Sequence, residues 1–372
     1  MMRWERGTVR ELVDSWPGVV RMRVALDDGS GQSLRALAYT ELLGSPAVGE
    51  TVLLNTNALR RDLGTGGDAL VVARPDAPGA RNDGSPVGAA HMMKARYTPG
   101  QVMVDAIDDP ASQHYATMCA ADDLAGMPVV AADLHSSLPA IVAGIRATRP
   151  AARVAYVLTD GAALPAWYSR TVAALREAGL LAACVSAGQA FGGDLEAVSI
   201  PSALLGARHV VGADVAIAIQ GPGNLGTGTG WGFSGVQAAD VLNAAGTLGG
   251  RPIGALRVSD ADPRDRHLGL SHHSATTYGR LVHVPTTFGV WPAALHTVFH
   301  PIVREQLEET VIEPAAARGL RHEVREVDPD GLWEELESFP VTLFTMGRGL
   351  DEDPNAFVYA ALAGRAAAQL AP

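Results

Sequence analysis

Lysine is almost missing from this sequence, cysteine nearly so, and no long apolar run occurs. Cys119 and Cys184 are the only cysteines. Two thiols cannot build a thiolate zinc cage or a disulfide framework, and both sit in apolar or alanine-rich surroundings, so they are expected to be packing residues. A reducing cytoplasm is the expected home. No apolar stretch approaches the roughly 20 residues that span a bilayer, and Met1 to Arg6 lack the apolar centre of a signal peptide. A soluble chain with no membrane partner is expected. Positive charge is short as well. Lys and Arg number 29 against 40 Asp and Glu, for a formal net charge of -11. A general nucleic-acid binder needs surplus cations to displace counterions from phosphate, so nucleic acid is not the expected partner. Lys94 is the only lysine, and codon usage favouring Arg, Ala and Gly accounts for most of that bias. A chain that keeps one lysine, within His91-Met92-Met93-Lys94-Ala95-Arg96-Tyr97, also hints at a place needing a compact ammonium.

Of the 372 residues, 47% are hydrophobic and 19% charged, which fits a globular protein with one large and one small domain. Residues 1–75 read as a small β-rich, barrel-like module. Short runs at Val19 to Val24, Leu34 to Tyr39, Thr51 to Leu54 and Ala69 to Val72 alternate with turn residues such as Asp27-Asp28-Gly29-Ser30-Gly31. Residues 76–90, rich in Pro, Gly, Ala, Asp and Asn, read as a linker. Residues 91–372 read as an α/β body. Its continuous apolar runs, Val129 to Ala132, Val154 to Leu158, Leu180 to Val185, Val215 to Ile219 and Ile253 to Val258, are separated by helical patterns. One carries Leu138, Ile141, Val142 and Ile145 on one face, and another Tyr168, Val172 and Leu175. That alternation predicts a doubly wound, mostly parallel sheet in a Rossmann-like three-layer body. His322 to Val327 and Val341 to Thr345 read as further strands, and a last helix is expected to start at Asp353 and Pro354. The segment from Pro285 to Leu320 shows no readable pattern.

Ligands of open α/β sheets bind beyond the carboxyl ends of the strands, so the residues there are candidates for a site. The first run is followed by Asp133, His135, Ser136 and Ser137, the second by Thr159, Asp160 and Gly161. After the third come Ser186, Gly188, Gln189, Asp194 and Glu196, after the fourth Gln220, and after the fifth Ser259, Asp260 and Asp262. His135 is placed to act as general acid, general base or metal ligand, with a structural histidine as the competing reading. Asp133, Asp160 and Asp260 are placed to orient it or hold a metal. Ser136 or Ser137 is expected to cap the following helix.

A long glycine loop follows Gln220: Gly221-Pro222-Gly223-Asn224-Leu225-Gly226-Thr227-Gly228-Thr229-Gly230-Trp231-Gly232-Phe233-Ser234-Gly235. Such backbone can approach phosphate or carboxylate closely. Gly221, Gly223 and Gly226 satisfy a dinucleotide fingerprint, but the loop runs on instead of opening a helix, and the usual acidic residue is misplaced, Asp240 falling inside the next helix. A tight structural loop is the plainer alternative. There is no P-loop ending and no nucleophile elbow. Ser271-His272-His273-Ser274 is the second dense spot. On an extended loop adjacent histidines point apart, so at most one of the pair is expected to face a given ligand. With Asp260, Asp262 and Asp265 they could bind a divalent metal, though the spacing matches no metal motif. Arg264 and Arg266 are a competing phosphate contact. Arg348, in Met346-Gly347-Arg348-Gly349, could add a cation, and the acidic run Asp351-Glu352-Asp353 suits a helix start.

Several of these segments together resemble a family of uncharacterised bacterial proteins catalogued as domain of unknown function 3866. They are Ala132 to Ser136, Thr159-Asp160-Gly161 with Ala166-Trp167, Gly188 to Glu196, Gln220 to Thr229, Ser271 to Ser274, and Thr345 to Asp353. The segment after Pro285 is less typical. The resemblance implies no activity, cofactor or residue role. The residues themselves support two expectations. One is an enzyme acting on a small anionic molecule, phosphorylated or nucleotide-like. His135 would do acid–base work, and the ligand would be held by Ser136, Gln189, Asp194, Gln220, the loop from Gly221 to Thr229, His272 and His273. The other is a non-catalytic ligand sensor or interaction protein whose barrel meets a partner. The cofactor is left open, as is the choice between monomer and homo-oligomer.

Overall fold

The computed structural model describes residues 4–61, 63, 66–77, 91–295 and 299–372. Their contacts divide the chain into two units, Met1–Gly88 and Ala89–Pro372. Most of the expected linker, 78–90, lies outside the described residues.

The first unit is a closed five-stranded barrel. Its strands are β1 (Trp4–Trp16), β2 (Val19–Leu26), β3 (Ser33–Tyr39), β4 (Thr51–Asn55) and β5 (Ala69–Ala73), in the order β1-β2-β3-β5-β4. The long β1 closes the ring by pairing with β2 along one stretch and with β4 along another. Alternation puts Val9, Val20, Met22, Val24, Ala36, Ala38, Val52, Leu54, Ala69 and Val71 inside. The Asp27 to Gly31 turn joins β2 to β3 as expected. Ala69 to Val72 falls in β5, the last strand of the module, which lies between β3 and β4.

The second unit opens with a hairpin, β6 (Met92–Lys94) and β7 (Val102–Val104). Its main sheet holds β8 (Pro128–Ala132), β9 (Val154–Thr159), β10 (Ala183–Ser186), β11 (Leu195–Glu196), β12 (Val215–Gln220) and β13 (Arg251–Gly254). A two-stranded pair follows, β14 (Val258–Ser259) with β15 (Gly269–Leu270), before β16 (Thr287–Val290) and β17 (Glu323–Glu326) complete the sheet. The order β11-β10-β9-β12-β8-β13-β16-β17 is parallel throughout. Every residue of β8, β9, β10 and β12 is buried, because helices cover both faces. Leu138–Thr148 and Pro354–Leu370 lie together on one face, Ile200–His209 and Gln237–Thr247 on the other. Among the described residues no helix is long and apolar enough to cross a membrane.

Some local expectations shift. The run Leu180 to Val185 becomes strand only from Ala183. Ile253 to Val258 splits into the end of β13 and the separate β14, and Val341 to Thr345 contributes only the short pair Phe344–Thr345 with Arg348–Gly349. Tyr168 precedes its helix, in a 3₁₀ turn at Ala166–Tyr168. The segment after Pro285 holds β16 and a helical run, Phe299–Leu307, Glu308–Ile312 and Glu313–Ala316, whose middle is π-helical.

Candidate functional site

The chain leaves β8 for β9 on one side and, after β12, crosses to β13 on the other side of β8. The carboxyl end of β8 is therefore the switch point of the sheet, where open α/β folds form their crevice. Asp133 stands there. It is buried, and its Oδ2 accepts a hydrogen bond from His273 Nδ1 at 2.9 Å and lies 3.2 Å from Arg257 Nη1. Arg257 sits between β13 and β14. Burial would raise the Asp133 carboxyl, but the Arg257 charge and the His273 bond outweigh it and hold the group below the ordinary carboxylate range.

His273 belongs to a trio. One ring nitrogen from each of His267, His272 and His273 lies within 4.8 Å of the other two, and the ring centroids are 4.5 to 5.0 Å apart. His267 comes from the 3₁₀ turn Asp265–His267, and its Nδ1 meets Ser271 Oγ at 2.7 Å. Ser271 also caps the helix His272–Thr276 by accepting from the His273 N–H. The expected extended loop at His272 and His273 is thus corrected to a helix start, and helical turning brings both rings toward His267. Burial and neighbouring cations push His267 down to about 3 and His272 to about 4, so both rings are neutral at pH 7. Asp262, Asp260 and Asp265 do not join the trio. Asp262 is paired with Arg264 at 2.7 Å and approached by Arg348 at 3.6 Å, and Asp260 accepts from Asn355 Nδ2 at 2.7 Å.

The glycine loop folds against this cluster. Phe233 stacks on His273, with centroids 3.7 Å apart and planes 1° from parallel. Gly235 lies so close to β8 that a Cβ there would sit 2.6 Å from the Asp133 Cβ, which excludes a side chain. Much of the loop's own polar backbone is used internally. Thr227 N–H bonds to Gly232 O, Ser234 N–H to Leu225 O, Gly232 N–H to Thr229 Oγ1 and Leu225 N–H to Ser234 Oγ. Gly226 bridges Phe233, the hydroxyls of Thr227 and Thr229 are 3.0 Å apart, and Asn224 Oδ1 accepts from Ser234 Oγ. Gly221 abuts the Ala163 carbonyl, while Gly223 has φ 101° and open space at its Cα. A Cβ at Gly228 would lie 3.7 Å from the guanidinium of Arg266, an exposed arginine with no ion pair among the described residues.

The remaining expected residues divide between framework and site. Gln220 Nε2 donates to the Asp133 carbonyl at 2.7 Å, and its buried Oε1 has no hydrogen-bond partner among the described residues. His135 is buried, with Nδ1 3.2 Å from Tyr156 Oη and Nε2 2.7 Å from Ser169 Oγ. Burial pushes it down to about 4. Because Tyr156 donates to the Ile219 carbonyl, the consistent tautomer has Nδ1 donating to Tyr156 and Nε2 accepting from Ser169. Both nitrogens are therefore engaged. Asp160 ties Gln189 N–H and Gln237 Nε2 at 2.9 and 2.8 Å, and Asp194 binds Arg176 and the Cys184 N–H. The expected cap at Ser136 or Ser137 is corrected. Neither hydroxyl caps, and Ser136 Oγ instead meets Thr345 Oγ1 at 2.8 Å. Asp353 does open the last helix, but its side chain accepts from Ser259 and Arg348 rather than from helix N–H groups.

The sheet thus brings together Asp133, Gln220, His272, His273 and the glycine loop, and leaves His135, Asp160, Asp194 and Asp260 in separate networks. Three residues of the cluster were not singled out from sequence: His267, Arg257 and Phe233. The available signal for the first was the spacing of His267 five positions before His272, one helical turn and its approach. Arg257 lay inside a run read as strand, and Phe233 among glycines.

A parallel α/β body with a buried carboxylate–histidine cluster at its switch point is the class that fold and site define. The chain belongs to the family described as Protein of unknown function (DUF3866), whose model matches residues 35–364, including the segment after Pro285. No curated protein and no solved structure matches it.

Proposed function

We propose that the protein is a cytoplasmic enzyme acting on a small anionic molecule, phosphorylated or nucleotide-like, held at the carboxyl ends of the sheet strands. The observation that carries this reading is the Asp133–His273 pair, 2.9 Å long and buried at the switch point. A carboxylate that holds one imidazole nitrogen fixes the tautomer and frees the other nitrogen for acid–base work or ligation. Such a buried dyad is the arrangement that chemistry uses. Arg266, with no ion pair among the described residues and set against Gly228 of the glycine-rich loop, supports an anionic ligand, as does the open Cα of Gly223. Small molecules rather than nucleic acid suit a chain of net charge -11.

The test is a thermal-shift panel of nucleotides, sugar phosphates and dinucleotides, followed by a turnover assay on each hit. A ligand at a hundredfold its Kd adds about 2.7 kcal/mol, equivalent to roughly 2–4 °C per kcal/mol in a body of this size. The shift is expected to shrink in Arg266→Ala, and turnover to fall about a hundredfold or more in Asp133→Asn. A panel without a shift sinks the reading.

A further inference from the structure

We propose that His267, His272 and His273 form a binding site for one divalent transition-metal ion of the zinc type. Their three ring nitrogens within 4.8 Å of one another are the first ground. Zinc–nitrogen bonds of about 2.0–2.1 Å in a tetrahedron put the nitrogens about 3.4 Å apart, so small side-chain rotations close the trio around an ion.

The hydrogen bonding supplies the second ground. Nδ1 of His273 lies 2.9 Å from the Asp133 carboxylate and 3.0 Å from Arg257 Nη1, and Nδ1 of His267 meets Ser271, so Nε2 is the nitrogen of each ring left for a ligand. His272 Nε2 is shielded from solvent and finds no hydrogen-bond partner among the described residues. Leaving such an atom unsatisfied forfeits its hydration without a replacement, and a metal would use its lone pair. Packing of three rings as mere core explains neither the converging nitrogens nor the orphaned one. Asp133 is then a positioning residue of the carboxylate–histidine–metal kind, and the Phe233 stack fixes the plane of the His273 ring.

The donor set names the metal class. Three imidazoles suit zinc, cobalt, nickel, copper or iron and do not suit magnesium or calcium, which take oxygen. Three protein ligands leave a position for water or a substrate oxygen. An ion there, with Arg266 beyond it, would also draw an anion to the crevice. As the chemical centre of the proposed enzyme the ion rests on that reading, whereas as a binding site it stands on this geometry.

The experiment uses the full chain, stripped with chelator, titrated with Zn²⁺ or Co²⁺, desalted and assayed for bound metal, with the Co²⁺ visible spectrum as a record of nitrogen ligation. A single equivalent is expected, with no uptake of Mg²⁺. His272→Ala should weaken binding more than about a hundredfold, and Asp133→Asn about 10–100-fold. His272→Ala is the decisive variant because its Nε2 makes no hydrogen bond that the fold would lose, and His300→Gln, outside the trio, should bind as the parent does. Retention of no zinc or cobalt by the folded parent would overturn the proposal, as would unchanged affinity in His272→Ala. Metal uptake without any anion-induced stabilisation supports the site and sinks the anionic-substrate reading. Anion binding by a chain that takes up no metal does the reverse.

Discussion

The Asp133 carboxylate and the His273 imidazole are 140 positions apart in the chain and 2.9 Å apart in space. Two parallel strands and their crossovers make that meeting. β8 delivers Asp133 at its end, and the adjacent β13 turns through Arg257 into the segment that carries the histidines. The same oxygen faces the Arg257 guanidinium at 3.2 Å, so one carboxylate balances one buried cation and aligns one ring.

Asp133→Asn keeps the shape of the side chain and removes its charge. Arg257, only 10% exposed in its side chain, is left without a counter-charge, and breaking a buried pair on one side costs about 3–5 kcal/mol. Chemical denaturation should show that loss, and Asp133→Asn with Arg257→Met should recover part of it, since contacting residues are not additive. With Arg257→Met measured alone as well, a double-variant loss equal to the sum of the two single losses would show that the pair is uncoupled.

Lys94, the one lysine, is a clasp. Its buried ammonium donates to Ser186 O, Ala190 O and Glu196 Oε2 at 3.1, 2.8 and 2.8 Å, tying the β6–β7 hairpin to the edge of the sheet. Three donors meet three acceptors, a fit that the planar arginine fork does not reproduce. Lys94→Met should cost about 3–5 kcal/mol by stranding Glu196, and Lys94→Arg should not restore the parent. Adding Glu196→Leu to Lys94→Met should recover much of the loss. Urea midpoints of the four chains decide this, and a parent-like Lys94→Arg would refute the clasp.

The fold was more legible in the sequence than the site. Buried parallel strands announce themselves as unbroken apolar runs, and β8, β9 and β12 fall within a residue or two of Val129 to Ala132, Val154 to Leu158 and Val215 to Ile219. The first barrel strand hid because its long course presents alternate faces to solvent, and the stretch after Pro285 because a π-helical turn at Glu308–Ile312 has no period that the eye can follow. For the site, listing residues beyond each strand found Asp133 and Gln220, and the dense segment Ser271-His272-His273-Ser274 supplied His272 and His273. The sequence could not tell them from Asp160, Asp194 and Asp260, which have the same chemistry and the same sequence context but find partners in the framework. His135 shows the limit best. It stands two residues past Asp133, yet β9 presents Tyr156 and the next turn Ser169, which engage both its nitrogens.

The Leu138–Thr148 and Pro354–Leu370 helices cross backbone to backbone. A Cβ added at Gly144 would overlap the Ala361 carbonyl, and one at Gly364 the Ile141 carbonyl. Gly→Ala normally favours a helix by up to about 1 kcal/mol. Here the overlap must force the helices apart, and overpacking of this sort costs about 1–3 kcal/mol or more. Gly144→Ala should therefore lower the melting temperature, while Gly179→Ala, with open space around its Cα, tests the backbone strain of its positive φ alone. Stabilisation by Gly144→Ala would contradict the crossing.

Acid should weaken the body well above the range where carboxylates titrate. His135 is held down to about 4 by burial, and His272 and His267 are held to about 4 and about 3 chiefly by burial, with added repulsion from nearby cations. A histidine whose folded value lies below the unfolded value of about 6.5 takes its proton more readily when the chain is open. Its contribution is complete above pH 6.5 and drains away as pH falls toward the folded value. His135 alone, fully enclosed, accounts for a loss on the order of 2 kcal/mol by pH 5. Asp133 acts lower on the scale. Its depressed value makes its contribution complete above about pH 4 and lost as pH falls through the folded value. Melting curves of the chelator-stripped chain at pH 7.5, 6 and 5 should fall by several degrees, before any carboxylate of ordinary pKa has titrated. His135→Gln removes one of the groups that charge and should make the remaining slope shallower, at some cost in stability at pH 7.5 from the bonds to Tyr156 and Ser169. Melting temperatures that stay level from pH 7.5 to 5 would mean that these rings reach solvent and charge without unfolding.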